Sequence, residues 1–312
     1  MHTETLSQDS ADFPSELLRL SDPPAFLRVR GALPSRARMV AIVGTRAAST
    51  RALEFAHSLA SSLALKDCVI VSGGALGVDA AAHEGALAVG GKTVVVQGPG
   101  LAHLYPKANL ELFDRVRAQG GCELSEHEDA MRPFKHVFLA RNRIIAALSR
   151  VVVVIESPFP SGALSTAHTA LKLGISLLVV PAFPTEVHAE GSNLLLRLGA
   201  RVCLGEEDVL SALEGAPPPL ALPSNVLLRP RKSPRAKAAR AVPKQASLLV
   251  DLPPTLASVL DALADSALDL DSLAAKTGLQ VEVLQTRVTE LELLGAVSLD
   301  VGGRVFASAR NH

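Results

Sequence analysis

The chain has 312 residues, more than one average domain needs, and 48% are apolar, enough for a sizeable core. Formal charge is zero, with 31 basic and 31 acidic residues, which excludes a protein that binds nucleic acid through its overall charge; any such surface has to be a local patch. The three cysteines, Cys68, Cys122 and Cys203, form neither a C-x-x-C pair nor an even-numbered framework, so they are expected to be reduced core residues. The N-terminal stretch MHTETLSQDSADF lacks the basic and apolar regions of a secretory signal. Apolar stretches such as Val151–Ile155 and Ile175–Val180 fall far short of the ~20 residues of a membrane span. The expectation is a cytoplasmic protein without membrane contact.

In chain order, residues 1–38 hold one helix-like stretch, Ser15–Leu20, followed by Asp22-Pro23-Pro24, and are predicted to lie as a strap on the main domain. Residues 39–212 contain four runs rich in β-branched residues: Val40–Val43, Val69–Val71, Thr93–Val96 and Val151–Ile155. A fifth run, Leu177–Val180, is rich in leucine and valine. Each is nearly continuous rather than alternating, the pattern of parallel strands buried on both faces. Helix-like segments lie between them: Leu53–Leu65, Asp79–Val89 with Asp79 as a plausible N-cap, Ile144–Leu148 and Leu164–Leu173. Alternating strands and helices predict an α/β domain, a Rossmann-like, doubly wound, mostly parallel sheet.

Residues 213–250 are predicted to be a Pro-rich basic linker. Seven basic and no acidic residues lie between Arg229 and Lys244. Residues 251–308 read as three helices and a hairpin, the order of a small winged-helix domain. The helices are TLASVLDALAD, DLDSLAAKTG ending at Gly278, and VEVLQTRVTELELLG ending at Gly295; AVSLDVGGRVFAS is the hairpin with a Gly-Gly turn.

Ligands of doubly wound sheets sit beyond the carboxyl ends of the strands, at the switch point in strand order. The loops there are Gly44-Thr45-Arg46, Ser72-Gly73-Gly74-Ala75-Leu76-Gly77, Gly98-Pro99-Gly100, and Glu156-Ser157 followed by Ser161-Gly162-Ala163-Leu164-Ser165-Thr166. Glycine and hydroxyl residues ahead of helix N-termini make an anion-binding rim, although the same glycines serve tight turns. Arg46 and the stretch FKHVFLARNRIIAALS add Lys135, Phe138, Arg141, Asn142 and Arg143. Cations neutralise phosphate and an aromatic ring is a stacking platform for a base, while Phe138 fits core packing equally well. Arg141 and Arg143, two apart, point in different directions on a helix; one is expected to face the ligand and the other to pair with a carboxylate such as Glu156.

Several chemistries are excluded. VAIVGTRAAST lacks G-x-G-x-x-G, Ser72 rather than an acidic residue stands at the ribose position after the second strand, and no Walker A motif occurs, so neither a dinucleotide cofactor nor a P-loop nucleotide is expected. Asp79 and His83 share a helical face, where a cap and a satisfied histidine are commoner than an acid–base pair. Glu126-His127-Glu128-Asp129 are adjacent and cannot all reach one metal ion. SGALSTA is not a nucleophile elbow. No catalytic residue, cofactor or metal is expected.

These motifs together resemble the DNA processing protein A (DprA, or Smf) family. The similarity runs through FPSELLRLSDPPAFLRVRG, VAIVGTR, SGGALGVDAAAHEGAL, GPGLAHLYP, FLARNRIIAALS, SGALSTAHTAL and GSNLLLRLGA, and the C-terminal unit is similar to the family's winged-helix appendage. The resemblance implies a non-enzymatic, dimeric protein that binds single-stranded DNA and loads RecA during natural transformation. By position, it implies DNA contact by Arg46 and by the Lys135–Arg143 stretch. Ser72, Gly73, Gly100, Ser161 and Gly162, with the adjoining hydroxyls Ser165 and Thr166, would line the pocket.

Three features depart from the family pattern. Leu76 stands where arginine is usual, Val180-Pro181-Ala182 where V-P-G is usual, and too few residues precede the first predicted strand for the helical domain of many members. From Asp251 to Phe306 nine acidic residues face three basic ones, so the winged helix is expected to contact protein rather than DNA. The basic linker is either a solvated tether or a loose DNA contact. Two other readings compete: a nucleotide phosphoribohydrolase on a related Rossmann core, which needs a glutamate that SGALSTAHTA lacks, and a nucleotide or DNA sensor signalling through the winged helix.

Overall fold

The computed structural model describes residues 3–34, 38–215, 254–263, 268–293, 296–299 and 304–307. They divide into two compact units, 1–218 and 219–312. The linker expected over 213–250, with all seven of its basic residues, lies almost wholly outside the described residues, as do Gly295 and the Gly-Gly turn of the hairpin.

The first unit opens with β1 (Glu4–Ser7), a 3-10 turn at Ser15–Arg19 and β2 (Phe26–Gly31). Then come β3 (Arg38–Gly44), α1 (Thr50–Ala64), β4 (Cys68–Ser72), α2 (Val78–Ala88), β5 (Thr93–Val96), α3 (Leu110–Ala118) and β6 (Cys122–Ser125). The unit ends with α4 (Lys135–Leu148), β7 (Val151–Ile155), α5 (Gly162–Lys172), β8 (Ser176–Val179), α6 (Glu190–Arg197), β9 (Arg201–Val202) and α7 (Glu206–Leu213). All nine strands join one sheet in the order β1-β2-β6-β5-β4-β3-β7-β8-β9. From β6 to β9 every pairing is parallel. The five predicted runs are β3, β4, β5, β7 and β8. Their apolar side chains are buried on both faces, which is why those runs are continuous rather than alternating.

Residues 4–31 are not a strap on the surface. β1 pairs with β2 and β2 with β6, both antiparallel, so this segment extends the sheet. Leu27 and Val29 point into the core while Arg28 and Arg30 alternate outward, as one-sided strands require. On one face α1, α2 and α7 share a core with Val40, Ile42, Ile70, Val151, Val153 and Ile155; Ala56, Leu59, Leu63, Ala82, Ala86 and Val209 are its helical members. α4 and α5 pack on each other and on β3.

The second unit has α8 (Pro254–Ala262), α9 (Leu270–Thr277), α10 (Val281–Leu293) and the antiparallel pair β10 (Val297–Leu299) and β11 (Val305–Ala307). α9 is capped by Asp269, whose carboxylate accepts the Ser272 N–H at 2.7 Å, and stops at Gly278 in the left-handed region (φ 71°) that glycine adopts without strain. Leu256, Val259, Leu273, Leu284, Val288, Leu291, Val297 and Val305 form its own core. Among the described residues no helix is long and apolar enough to cross a membrane.

Candidate nucleic-acid interface

Along the parallel part of the sheet, the chain moves outward on one side from β3 to β4 and β5, and on the other from β7 to β8. The switch point therefore lies between β3 and β7. A cleft of about 610 Å³ opens there, at the carboxyl ends of both strands. One wall is the loop after β3, Gly44 to Ala47. The opposite wall is Pro158 and Ser161–Ala163, leading into α5, and the N-terminal half of α4 closes the third side with Lys135, Phe138, Leu139, Arg141 and Asn142.

The predicted site residues separate into two groups. Arg46, Lys135, Phe138, Arg141, Asn142, Ser161, Gly162 and Thr166 line this cleft, and Gly73 lines a smaller recess beside it. Ser72, Gly100, Arg143 and Ser165 are not among the residues lining either space. Ser72 is fully buried and its hydroxyl donates to Ile42 O at 2.6 Å. Gly100 is buried where a Cβ would come within 2.0 Å of Glu128 O, so glycine there serves close backbone packing. Ser165 accepts the Thr169 hydroxyl through its backbone carbonyl.

Arg141 and Arg143 do point apart, but neither pairs with Glu156. The Arg143 guanidinium bonds Glu126 at 2.6 and 3.2 Å, with Asp22 at 3.6 Å, and ties α4 to the end of β6 and to the N-terminal segment. Glu156 instead accepts the Ser49 N–H at 2.6 Å, ahead of α1. Arg141 is buried beneath the cleft. Its Nη1 donates to Gly73 O at 2.6 Å and to Val96 O, joining the loops after β4 and β5. A Cβ on Gly73 would lie 2.3 Å from this guanidinium, so the loop admits Arg141 only because residue 73 has no side chain. Burial pushes Arg141 down to about 10, against the upward pull of Asp79, while Arg46 adds to the lowering.

Asp79 is not the N-cap of α2; Gly77 occupies that position. Asp79 Oδ2 accepts the Gly73 and Ala75 N–H groups at 3.2 and 3.3 Å, closing the turn between β4 and α2. Burial raises the Asp79 pKa, opposed by Arg141 and by these hydrogen bonds. His83 turns away to bond Thr93 at 2.6 Å, and burial depresses it to about 3. The pair is therefore not set up to exchange a proton. Glu126 and Asp129 are taken up by Arg143 and Arg28.

What remains available in the cleft is a small set. Arg46 and Lys135 are exposed and have no carboxylate partner among the described residues. Arg46 sits 6.0 Å from the centre of the Phe138 ring, a cation–π distance. Phe138 is half-buried, so it packs on the fold and still lines the cleft. Its neighbour Tyr105, for which the sequence pattern offers no ligand role, lies 5.3 Å away with the rings tilted by 58°. Asn142 donates to Gly162 O at 3.0 Å, and the Ser161 side chain caps α5 through the Leu164 N–H. These two residues position the rim, and their groups are largely committed. Tyr105 belongs to the GPGLAHLYP motif and lies beyond Gly100, past the short Gly98-Pro99-Gly100 loop at the strand end.

Residues 4–214 match the family described as DNA recombination-mediator protein A, and residues 242–303 match the DprA winged helix domain. Protein Smf of Synechocystis sp. is 35% identical over 96% of this chain and 79% of its own length. DNA processing protein DprA of Bacillus subtilis is 36% identical over 67% of this chain and 71% of its own. Among solved structures, DNA processing protein A from Streptococcus pneumoniae superposes with a TM-score of 0.62 at 35% identity, covering 68% of this chain and 74% of that one. The Helicobacter pylori protein, whose structure addresses its single-stranded DNA binding mode, has a TM-score of 0.61 at 34% identity, covering 69% of this chain and 97% of that one.

Proposed function

The chain belongs to the DNA recombination-mediator protein A family, and from that membership we propose that it holds single-stranded DNA in the cleft between β3 and β7 and passes it to a recombinase. The observation that carries this reading is the meeting in one cleft of two cations without a carboxylate partner, Arg46 and Lys135, with the half-buried ring of Phe138. Cations hold the phosphates whatever the sequence, and an aromatic face holds a base only where that base is unstacked. A closed duplex keeps its base faces inside the stack, so the site favours single strands. The H. pylori relative, whose structure concerns single-stranded DNA binding, supports the same ligand.

The finer function is loading of RecA on incoming DNA during natural transformation, by a cytoplasmic homodimer without catalytic activity. Family membership supports it, and Asp79, the one carboxylate lining the cleft, is bonded into the β4–α2 turn. The phosphoribohydrolase reading needs an uncommitted acid beside the ligand and finds none in the cleft lining. The acidic winged helix is assigned to protein contact, because its charge repels phosphate.

The test compares affinity for single-stranded and double-stranded DNA of one sequence, in the wild type and in Arg46→Ala. Preference for the single strand and its weakening in the variant are expected. Equal affinity for both forms, or release of adenine from AMP at enzymatic rates, would overturn the reading.

A further inference from the structure

We propose that the recess beside the cleft is a second base subsite, in which Tyr105, with Leu76 and Pro106, takes the nucleobase adjacent to the one on Phe138. The proposal rests on the reading of the cleft as a single-strand site and adds a residue and a strand geometry to it.

The recess is bordered by Arg46, Gly73, Leu76, Tyr105, Pro106 and Phe138, with Arg141 at its base. Two loops build it, and hydrogen bonds fix their spacing. Asn109 Nδ2 donates to Gly74 O at 2.9 Å and Ala75 O at 3.3 Å, pinning the loop after β5 to the loop after β4. The Tyr105 N–H donates to Gln97 Oε1 at 3.2 Å. Leu76 and Tyr105 are thereby held on one small space while 48% and 42% exposed. Two large apolar side chains in water beside an unpaired cation suit a ligand that is flat, apolar on its faces and anionic at its edge. A nucleotide in a single strand has that chemistry.

Volume and orientation set how it enters. The recess holds about 40 Å³, too little for a whole nucleotide and enough for one edge of a base. The sugar and phosphate stay in the main cleft. Arg46 lines both spaces, so its charge stands where the phosphate linking the two bases passes. Tyr105 and Phe138 are tilted by 58°, so bases lying on the two rings cannot stack on each other. The strand is opened at that step, a geometry no duplex adopts.

The chain has one tyrosine and no tryptophan, so Tyr105 is its sole strong intrinsic fluorophore and reports on its own subsite. The full chain is titrated with oligothymidylate and with an abasic strand of equal length, following tyrosine emission and, with labelled strands, anisotropy. Oligothymidylate is expected to quench Tyr105 as it binds, and the abasic strand to bind without quenching. Tyr105→Leu is expected to lose roughly five- to hundredfold in affinity for oligothymidylate, with Tyr105→Phe near wild type and abasic binding unchanged. Should Tyr105→Leu fold poorly, Leu76→Ser at the exposed facing wall is expected to weaken oligothymidylate binding alone. Binding with unaltered Tyr105 emission, or equal loss for both strands, would overturn the subsite while leaving the cleft reading intact. No binding of oligothymidylate by the wild type would overturn both.

Discussion

Arg46→Ala is expected to change how single-strand binding responds to salt as well as how tight it is. Each single-strand phosphate neutralised by a cation releases condensed counterions and contributes about 0.7 to the slope of log K against log salt. Arg46 and Lys135 are the unpaired cations of the cleft, so together they account for about 1.4 of that slope. Between about 50 and 200 mM salt, one such contact changes affinity about 2.6-fold and two change it about sevenfold. The assay is anisotropy of a labelled oligothymidylate on the full chain across that range. The slope should shrink by about 0.7 in Arg46→Ala and by about 1.4 when Lys135→Ala is added. Arg143→Ala is the internal control, because Glu126 already neutralises that guanidinium; its slope should match the wild type. Deleting residues 229–244 assigns whatever slope survives. An unchanged slope in Arg46→Ala, or a reduced one in Arg143→Ala, would refute the division of cations drawn from the structure.

Arg141→Met removes a charged donor from two buried carbonyls and is expected to cost about 3–6 kcal/mol of stability in urea unfolding, from about 1.5–3 per charged hydrogen bond. Gly73→Ala should be destabilising at the same place, since its Cβ strikes that guanidinium. Phe138→Ala is expected to weaken oligothymidylate binding by about 1–3 kcal/mol, measured by the same anisotropy titration. Glu123, fully buried, has its pKa raised from 4.5 to about 7 by burial, against the lowering pull of Arg117. The fold therefore binds a proton that the unfolded chain has released between those values, and stability should fall as pH rises through that window. Glu123→Gln should flatten this part of the pH profile in denaturant titrations. The three cysteines are buried and burial raises their pKa values, so a thiol reagent should label them only on unfolding.

Five of the parallel strands were legible because burial on both faces leaves no polar position to interrupt the run, as in Val151–Ile155. β2 and β6 were not. FLRVRG alternates with arginines on its solvent side, and CELS carries a glutamate that only its pairing with Arg117 makes compatible with the interior. The position of the cleft was legible too, since the switch point at the strand ends follows from the fold class itself. The roles within it were harder to read. Arg46, Arg141 and Arg143 are the same residue type within one resemblance, and only their partners separate an open cation from a buried strut and a surface tie.

The sequence by itself determined that strands and helices alternate, that their loops converge on one edge, and that the basic linker and acidic tail cancel in the total charge. Those properties depend on local composition and periodicity, which a chain carries before it folds. Tertiary structure decided which polar groups were left over for a ligand. Ser72 and Gly100 were absorbed into packing, Arg143 was neutralised by Glu126, and Tyr105 was held open beside Phe138 by a hydrogen bond from its own backbone to Gln97. Availability to a ligand is what remains after intramolecular partners are satisfied, and those partners are brought together only across the fold.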